Sequence, residues 1–282
     1  MEIDARQLNA LKSAELEMLQ AFIEVCEKLE LNYYLLGGTL LGAVRHQGFI
    51  PWDDDIDVGM LRKDYEKFVR EGQKYLPEHI FLQHYNTDPA YPMNFVKLRN
   101  SRTAFIETSV RKLKMNHGVF LDVFPLDRCE TAEKRKWFER MNAICRMRIA
   151  MVFDLKRDVS LRGKVSGVVL KLLFPRVSSA VKLREKLHCS MPDGPLVANF
   201  CGAWGVKEIV PATWYGQPRE LYFEGMRVKA PAEYEKWLTQ VYGDYMQLPP
   251  EEKRVTHHYT EVIDMEHSYF DYVKNENGRK EE

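Results

Sequence analysis

The chain has 282 residues, 45% of them hydrophobic, enough for one large domain or a core with a helical subdomain. Lys plus Arg and Asp plus Glu both total 41, so the basic excess of a general nucleic-acid binder is missing and no nucleic-acid partner is expected. The five cysteines (Cys26, Cys129, Cys145, Cys189, Cys201) are scattered and include no Cys-x-x-Cys pair, which argues against a disulfide framework or a zinc ribbon. Met1–Arg6 is polar, and no uncharged run approaches the roughly 18 residues of a spanning helix, so a cytoplasmic protein is expected.

In chain order, the first expected element is an amphipathic helix. Leu8, Leu11, Leu16, Leu19, Phe22, Ile23, Cys26 and Leu29 recur at three- and four-residue steps, and Asp4 with Gln7 fits a capping box. Tyr33–Leu36 reads as a buried strand, and Gly37-Gly38 as a tight turn open to close backbone approach. Thr39 is expected to cap a short helix through Leu40, Leu41, Ala43 and Val44. The carboxylates Asp53, Asp54, Asp55 and Asp57 follow, then a helix over Lys63–Tyr75 ending near Pro77. Phe81–Tyr85, Phe95–Arg99, Ala104–Glu107 and Val119–Phe124 are expected to form a small mixed sheet, with Asp127 in a turn after Pro125. Thr131–Asp154 reads as helix, as does Lys164–His188 with a break at Pro175. That second stretch is basic and amphipathic, which suits either peripheral membrane contact or a core helix with a solvated edge. The C-terminal third is rich in Trp, Tyr, Gly and Pro, and Asn275–Glu282 reads as a disordered tail.

Asp55-Ile56-Asp57 carries the chemistry. On a strand, residues two apart project to one side, about 6–7 Å apart. Two such carboxylates repel each other and raise each other's pKa, a conflict that a divalent cation removes. Mg²⁺ is usually held by one or two carboxylates plus substrate phosphates. A helix N-terminus at Gly37-Gly38-Thr39 supplies an anion site beside it. Arg45 reads either as a bidentate phosphate ligand or as a salt-bridge partner of Asp53 or Asp54. One of those two Asp residues can orient a ligand from behind. Lys97 and Arg99 alternate on one strand, so they either neutralise a leaving group together or form a solvated edge. His257-His258 point opposite ways on an extended segment, so each reads as a substrate contact, a proton carrier or a packed ring. Asp122, inside the apolar strand, is costly when ionised unless it is paired, metal-bound or hydrogen-bonded to backbone.

The string Gly37-Gly38-Thr39-Leu40-Leu41-Gly42-Ala43-Val44-Arg45-His46, followed by Ile50-Pro51-Trp52-Asp53-Asp54-Asp55-Ile56-Asp57, resembles the signature of the LicD family. That family includes bacterial phosphocholine transferases and is related to fukutin-type ribitol-phosphate transferases. Weaker similarity continues at Phe95–Arg99, Phe120–Asp127, Tyr242–Met246, Leu248-Pro249-Pro250 and His257-His258. The resemblance implies a mixed α+β fold with a nucleotidyltransferase-like core at 1–130. A helical subdomain at 131–195 and a part packed on the core at 196–274 complete the expected organisation. It also implies Mg²⁺, with Mn²⁺ as a substitute, held by Asp55, Asp57 and a third carboxylate, for which Asp122 is the candidate as ligand or proton acceptor. Gly37, Gly38, Thr39, Arg45, Lys97, Arg99, His257 and His258 become the candidate substrate-binding residues. The implied reaction moves a phospho-alcohol group, phosphocholine by default, from a CDP-alcohol donor to a sugar hydroxyl of a glycan acceptor, free or lipid-linked, releasing CMP. A nucleotidyltransferase using a nucleoside triphosphate, or a non-catalytic choline- or glycan-binding protein, are the alternatives. The C-terminal aromatics suit a cage for a quaternary ammonium, though most are expected in the core.

Overall fold

A computed structural model describes residues 3–130, 136–154, 161–256 and 258–273. His257, the start of the expected helix at Thr131 and the tail Asn275–Glu282 lie outside the described residues. The elements in order are α1 (Ala5–Lys28), β1 (Tyr34–Leu35), α2 (Gly37–His46), β2 (Asp57–Leu61), α3 (Arg62–Glu71), β3 (Ile80–Gln83), β4 (Val96–Asn100), β5 (Ala104–Glu107) and β6 (Val119–Cys129). They continue as α4 (Lys136–Ala150), α5 (Leu161–Leu173), α6 (Val177–Cys189), β7 (Leu196–Ala198), β8 (Ile209–Pro211), β9 (Arg219–Phe223), β10 (Met226–Ala230), α7 (Tyr234–Tyr242) and β11 (Thr260–Asp264). This is a mixed α+β fold.

The central sheet runs β1-β2-β6-β4-β3, with β7 and β8 continuing from the far end of β6. Strands β2 and β6 are parallel, and β1, β4 and β3 join antiparallel. Strand β6 is long because it serves two sets of neighbours. Its pairing with β4 ends at Val123, and from Asp127 to Cys129 it pairs with β7. Pro125 falls after β4 has ended, so its missing N–H leaves no partner on that strand unfilled. Asp127 is therefore strand and not turn, a correction to the expectation. It is buried and takes a bidentate ion pair from Arg62, whose Nε and Nη2 lie 2.7 and 2.8 Å from its two oxygens.

Helix α1 carries the expected capping box at Asp4 and Gln7 and packs its apolar face across β6 and β4. Residues Leu121, Val123, Leu98 and Val96 alternate toward the main core that it shares with Leu11, Leu19, Phe22 and Cys26. The two-stranded sheet β5–β11 stands apart from the central sheet, which corrects the expectation that Ala104–Glu107 joins it. Phe105 of β5 packs edge-on against Phe120 of β6 at 5.5 Å, so this ribbon rests on that part of β6. Helices α5 and α6 break at Pro175, as expected, because proline cannot donate within a helix. Among the described residues, Cys145 and Ile149 of α4 meet Ala180, Val181 and Leu187 of α6 in a small separate apolar cluster. The hairpin β9–β10 and helix α7 give Phe223, Val228, Trp237 and Leu238 to the main core.

Candidate active site

The first turn of α2 is clasped to the start of β2. Leu36 N–H donates to the Asp57 carbonyl at 3.0 Å, and Asp57 N–H donates to Thr39 Oγ1 at 2.8 Å. Thr39 therefore does not cap the helix as expected. The N-cap position belongs to Leu36, and the buried Thr39 hydroxyl holds the aspartate strand instead. Gly37 adopts φ +52°, which a side chain would strain. A methyl group on Gly37 would lie 2.9 Å from Asp57 Oδ2, and one on Gly38 2.4 Å from Asp53 Oδ2. The glycines thus let two carboxylates approach the positive end of α2.

A cavity of about 730 Å³ opens in front of this turn. Asp53, Asp55 and Asp57 all line it, while Asp54 and Ile56 turn inward and are buried. The two-residue alternation expected for Asp55 and Asp57 thus extends back to Asp53. Of Asp53 and Asp54, one of which was expected to orient a ligand from behind, Asp54 is the one turned away from the cavity. Asp53, Asp54 and Asp55 each offer an oxygen within 4.8 Å of the others. Burial, then the charges of Asp55 and Asp54, push Asp53 well above the usual carboxylate range. Burial, then Asp55, Asp122 and Asp53, do the same to Asp57. The Asp53, Asp54 and Asp55 oxygens, held this close, suit a hard divalent cation such as Mg²⁺ or Mn²⁺, so these three fit the group, whereas the expected ligands Asp57 and Asp122 lie outside that close set.

The parallel register sets Asp122 beside Asp57, and the antiparallel register sets Lys97 beside Asp122. The three form a row across β2, β6 and β4. Lys97 Nζ lies 2.8 and 2.9 Å from the two Asp122 oxygens and sits 3.2 Å from the Phe120 ring centre. Asp122 is buried behind Asp57; burial pushes its pKa up and Lys97 opposes the rise. Lys97 and Arg99 do share a face, both lying over Phe120. Neither lines the cavity. Arg99 is fully buried, donating to Gln83 Oε1 at 2.8 Å and the Gly118 carbonyl at 2.7 Å. Because β4 is an interior strand, these cations serve buried partners instead of meeting a leaving group directly.

Arg45 lines the cavity, but Asp53 and Asp54 are not its partners; its Nη1 donates to the Tyr245 carbonyl at 2.8 Å. His258 also lines it. Its backbone N–H donates to Asp54 Oδ2 at 3.2 Å, and its ring Nδ1 lies 3.4 Å from Asp54 Oδ1. Burial alone lowers the His258 pKa, but the bond to Asp54 and the charge of Asp55 push it up to about 9. Asp54 therefore holds the His258 backbone and faces its ring at the cavity wall. Among the C-terminal aromatics, Trp204, Tyr242 and Tyr245 reach the cavity. Trp204 and Tyr242 meet edge-on at 5.0 Å. Tyr215 and Trp237 are core, hydrogen-bonded to each other at 3.2 Å.

Two contributors were not expected from sequence. Glu15 is buried on α1, and burial followed by the charges of Asp55, Asp54 and Asp53 pushes its pKa well up. The signal was a glutamate four residues after Leu11 and four before Leu19, inside the apolar stripe. One turn earlier, Lys12 Nζ holds the Ile50 and Pro51 carbonyls at 3.1 and 2.9 Å, bracing the loop into Asp53.

Comparison with known proteins gives this geometry a context. The family model for the LicD/FKTN/FKRP nucleotidyltransferase domain matches residues 30–160, which include Asp53, Asp55, Asp57 and Asp122. The human ribitol 5-phosphate transferase FKRP is 30% identical over 109 residues, 30% of this chain and 22% of that protein. The lipopolysaccharide cholinephosphotransferase LicD of Haemophilus influenzae is 33% identical over 263 residues, 88% of this chain and 94% of that one. A likeness that holds along nearly the whole of both chains reaches far beyond a shared motif: the chain belongs to the LicD family and is a LicD-like transferase.

Proposed function

We propose that the protein transfers a phospho-alcohol group from a CDP-alcohol to a sugar hydroxyl of a cell-surface glycan, releasing CMP. The observation that carries this reading is the convergence of Asp53, Asp55 and Asp57 on one cavity at the N-terminus of α2. Gly37, Gly38 and Arg45 face the same space and suit the donor's diphosphate. Bound Mg²⁺ would be held by the close set of Asp53, Asp54 and Asp55 and would supply charge stabilisation at the transferred phosphate. The acceptor oxygen forms a bond to the phosphorus bearing the alcohol as the bond from that phosphorus to the CMP oxygen breaks. Asp122 takes the hydroxyl proton in this reading. Its burial-raised pKa favours proton acceptance, and the hydroxyl must reach the inner end of the cavity beside Asp57. Cationic His258 offsets charge gathering on the leaving CMP. The Trp204–Tyr242 corner suits the alcohol headgroup, and its π-faces favour a quaternary ammonium over a polyol. The relative from Haemophilus influenzae, named a cholinephosphotransferase, makes choline the default alcohol and lipopolysaccharide the default glycan.

The test is CMP release from CDP-choline, CDP-ribitol or CDP-glycerol with Mg²⁺, with and without a surface-glycan extract. We expect CMP from a single donor, dependent on extract and abolished in Asp55→Ala/Asp57→Ala. No CMP from any donor sinks the reading. Pyrophosphate release from a nucleoside triphosphate would then favour retention of the nucleoside monophosphate on the product, the chemistry named by the matching family model.

A further inference from the structure

Among the described residues, helix α5 presents a face that nothing covers. Val168, Val169, Leu172 and Leu173 are 59%, 49%, 76% and 64% exposed, while Leu170 alone among the apolar residues 168–173 is buried. These four positions span about 140° of the helix surface, one continuous apolar strip. On the neighbouring α4, Met147 is also 51% exposed. Monomeric proteins seldom leave such contiguous patches to water.

Charge decides what covers it. Residues 131–195 hold 15 Lys and Arg against 6 Asp and Glu, a net +9, so in a chain of zero net charge the remainder carries −9. Lys171 lies within the strip's sequence and Arg176 follows it three residues after Leu173, and both are exposed. An exposed apolar strip with cations close by in sequence is the pattern of a helix lying in the plane of an anionic lipid surface. Among the described residues, no helix is long and apolar enough to cross a membrane. We propose that α5 docks the protein peripherally on an anionic phospholipid bilayer, with its four apolar side chains inserted below the headgroups.

The docked unit connects to the cavity. Arg184 of α6 donates to Asn94 Oδ1 at 3.0 Å and to the Phe200 carbonyl at 3.3 Å. Four residues beyond Phe200, Trp204 forms part of the cavity wall. A lipid-held helical unit would therefore hold the cavity at a set distance from the bilayer, which suits an acceptor presented on a lipid.

The test is flotation of the full chain with vesicles of phosphatidylcholine alone or mixed with phosphatidylglycerol, across a salt series. We expect binding only to the anionic vesicles, weakening as salt rises. Lys171→Gln/Arg176→Gln should reduce partitioning about thirtyfold, from about fivefold per cation removed. Leu172→Asp/Leu173→Asp should reduce it at least about tenfold. Both variants should keep the wild-type melting temperature, since all four side chains are exposed. Absence of wild-type binding to anionic vesicles at low salt overturns the proposal, as does binding that survives both variants. A wild-type dimer made monomeric by Leu172→Asp/Leu173→Asp, without vesicle binding, would assign the strip to a second copy of this chain instead. The lipid readout is independent of catalysis, so a failed CMP assay leaves it standing.

Discussion

At the scale of single residues, the site depends on a few atoms being absent. Gly38 has no Cβ where one would sit 2.4 Å from Asp53 Oδ2. Gly38→Ala should swing that carboxylate away and lower CMP release about a hundredfold, with little change in melting temperature. A loss of folding on the same scale as the loss of activity would show the glycine to be structural. Asp53 itself lines the cavity together with Asp55 and Asp57. Asp53→Asn should raise the Mg²⁺ concentration for half-maximal CMP release about tenfold or more. An unchanged Mg²⁺ requirement would put Asp53 outside the metal site. Asp55 and Asp57 were legible as a pair from their spacing alone. Asp53 was legible only once the cavity was seen to be lined by every second residue from Asp53 to Asp57. Arg99 misled because an alternating cation on a strand reads the same whether the strand is an edge or an interior one. Its complete burial follows from β3 and β6 flanking β4, which spacing does not encode.

At the scale of elements, the decisive feature is the row Asp57–Asp122–Lys97 across three strands. It joins the cavity wall to a buried ion pair on the same sheet face. Lys97→Met would leave the Asp122 carboxylate buried without its cation, at a cost of about 3 kcal/mol in unfolding free energy. Lys97→Met/Asp122→Leu should recover most of that stability but no activity. Chemical denaturation of both variants checks this, and a double variant no more stable than the single one would show that the pair is not the source of the loss. Strand β6 runs five residues past its expected end and β7 to β11 were not expected, whereas β1 to β5 were expected to within about two residues. Their neighbours were not, because β2 and β6 are separated by about sixty residues and only closure of the sheet makes them parallel partners. The helix break at Pro175 was legible, since its cause is local.

At the scale of the whole molecule, a buried histidine that does not line the cavity adds an acid-dependent contribution to stability. Burial pushes His84 down to about 4, with Arg62 adding to the effect, and neither ring nitrogen has a hydrogen-bond partner. A folded-state pKa below the unfolded value near 6.5 means that the unfolded chain binds the extra proton. The stability from neutral His84 is therefore complete above pH of about 6.5 and is lost as pH falls toward about 4. His84→Phe should flatten this acid slope, gaining up to about 3 kcal/mol over the wild type across that window. Equal slopes in the two proteins would show that His84 is protonated in the fold. By itself, the sequence determined the helix and strand types, the Gly-Gly turn, the carboxylate pair and the family, because each rests on neighbours along the chain. Only the tertiary structure decided that Thr39 clasps the aspartate strand, that Asp54 serves His258, that Lys97 is spent on Asp122, and that α5 faces outward. Those outcomes depend on which distant segments meet, and the free energy that selects the meeting is apolar burial and charge pairing summed over the whole chain.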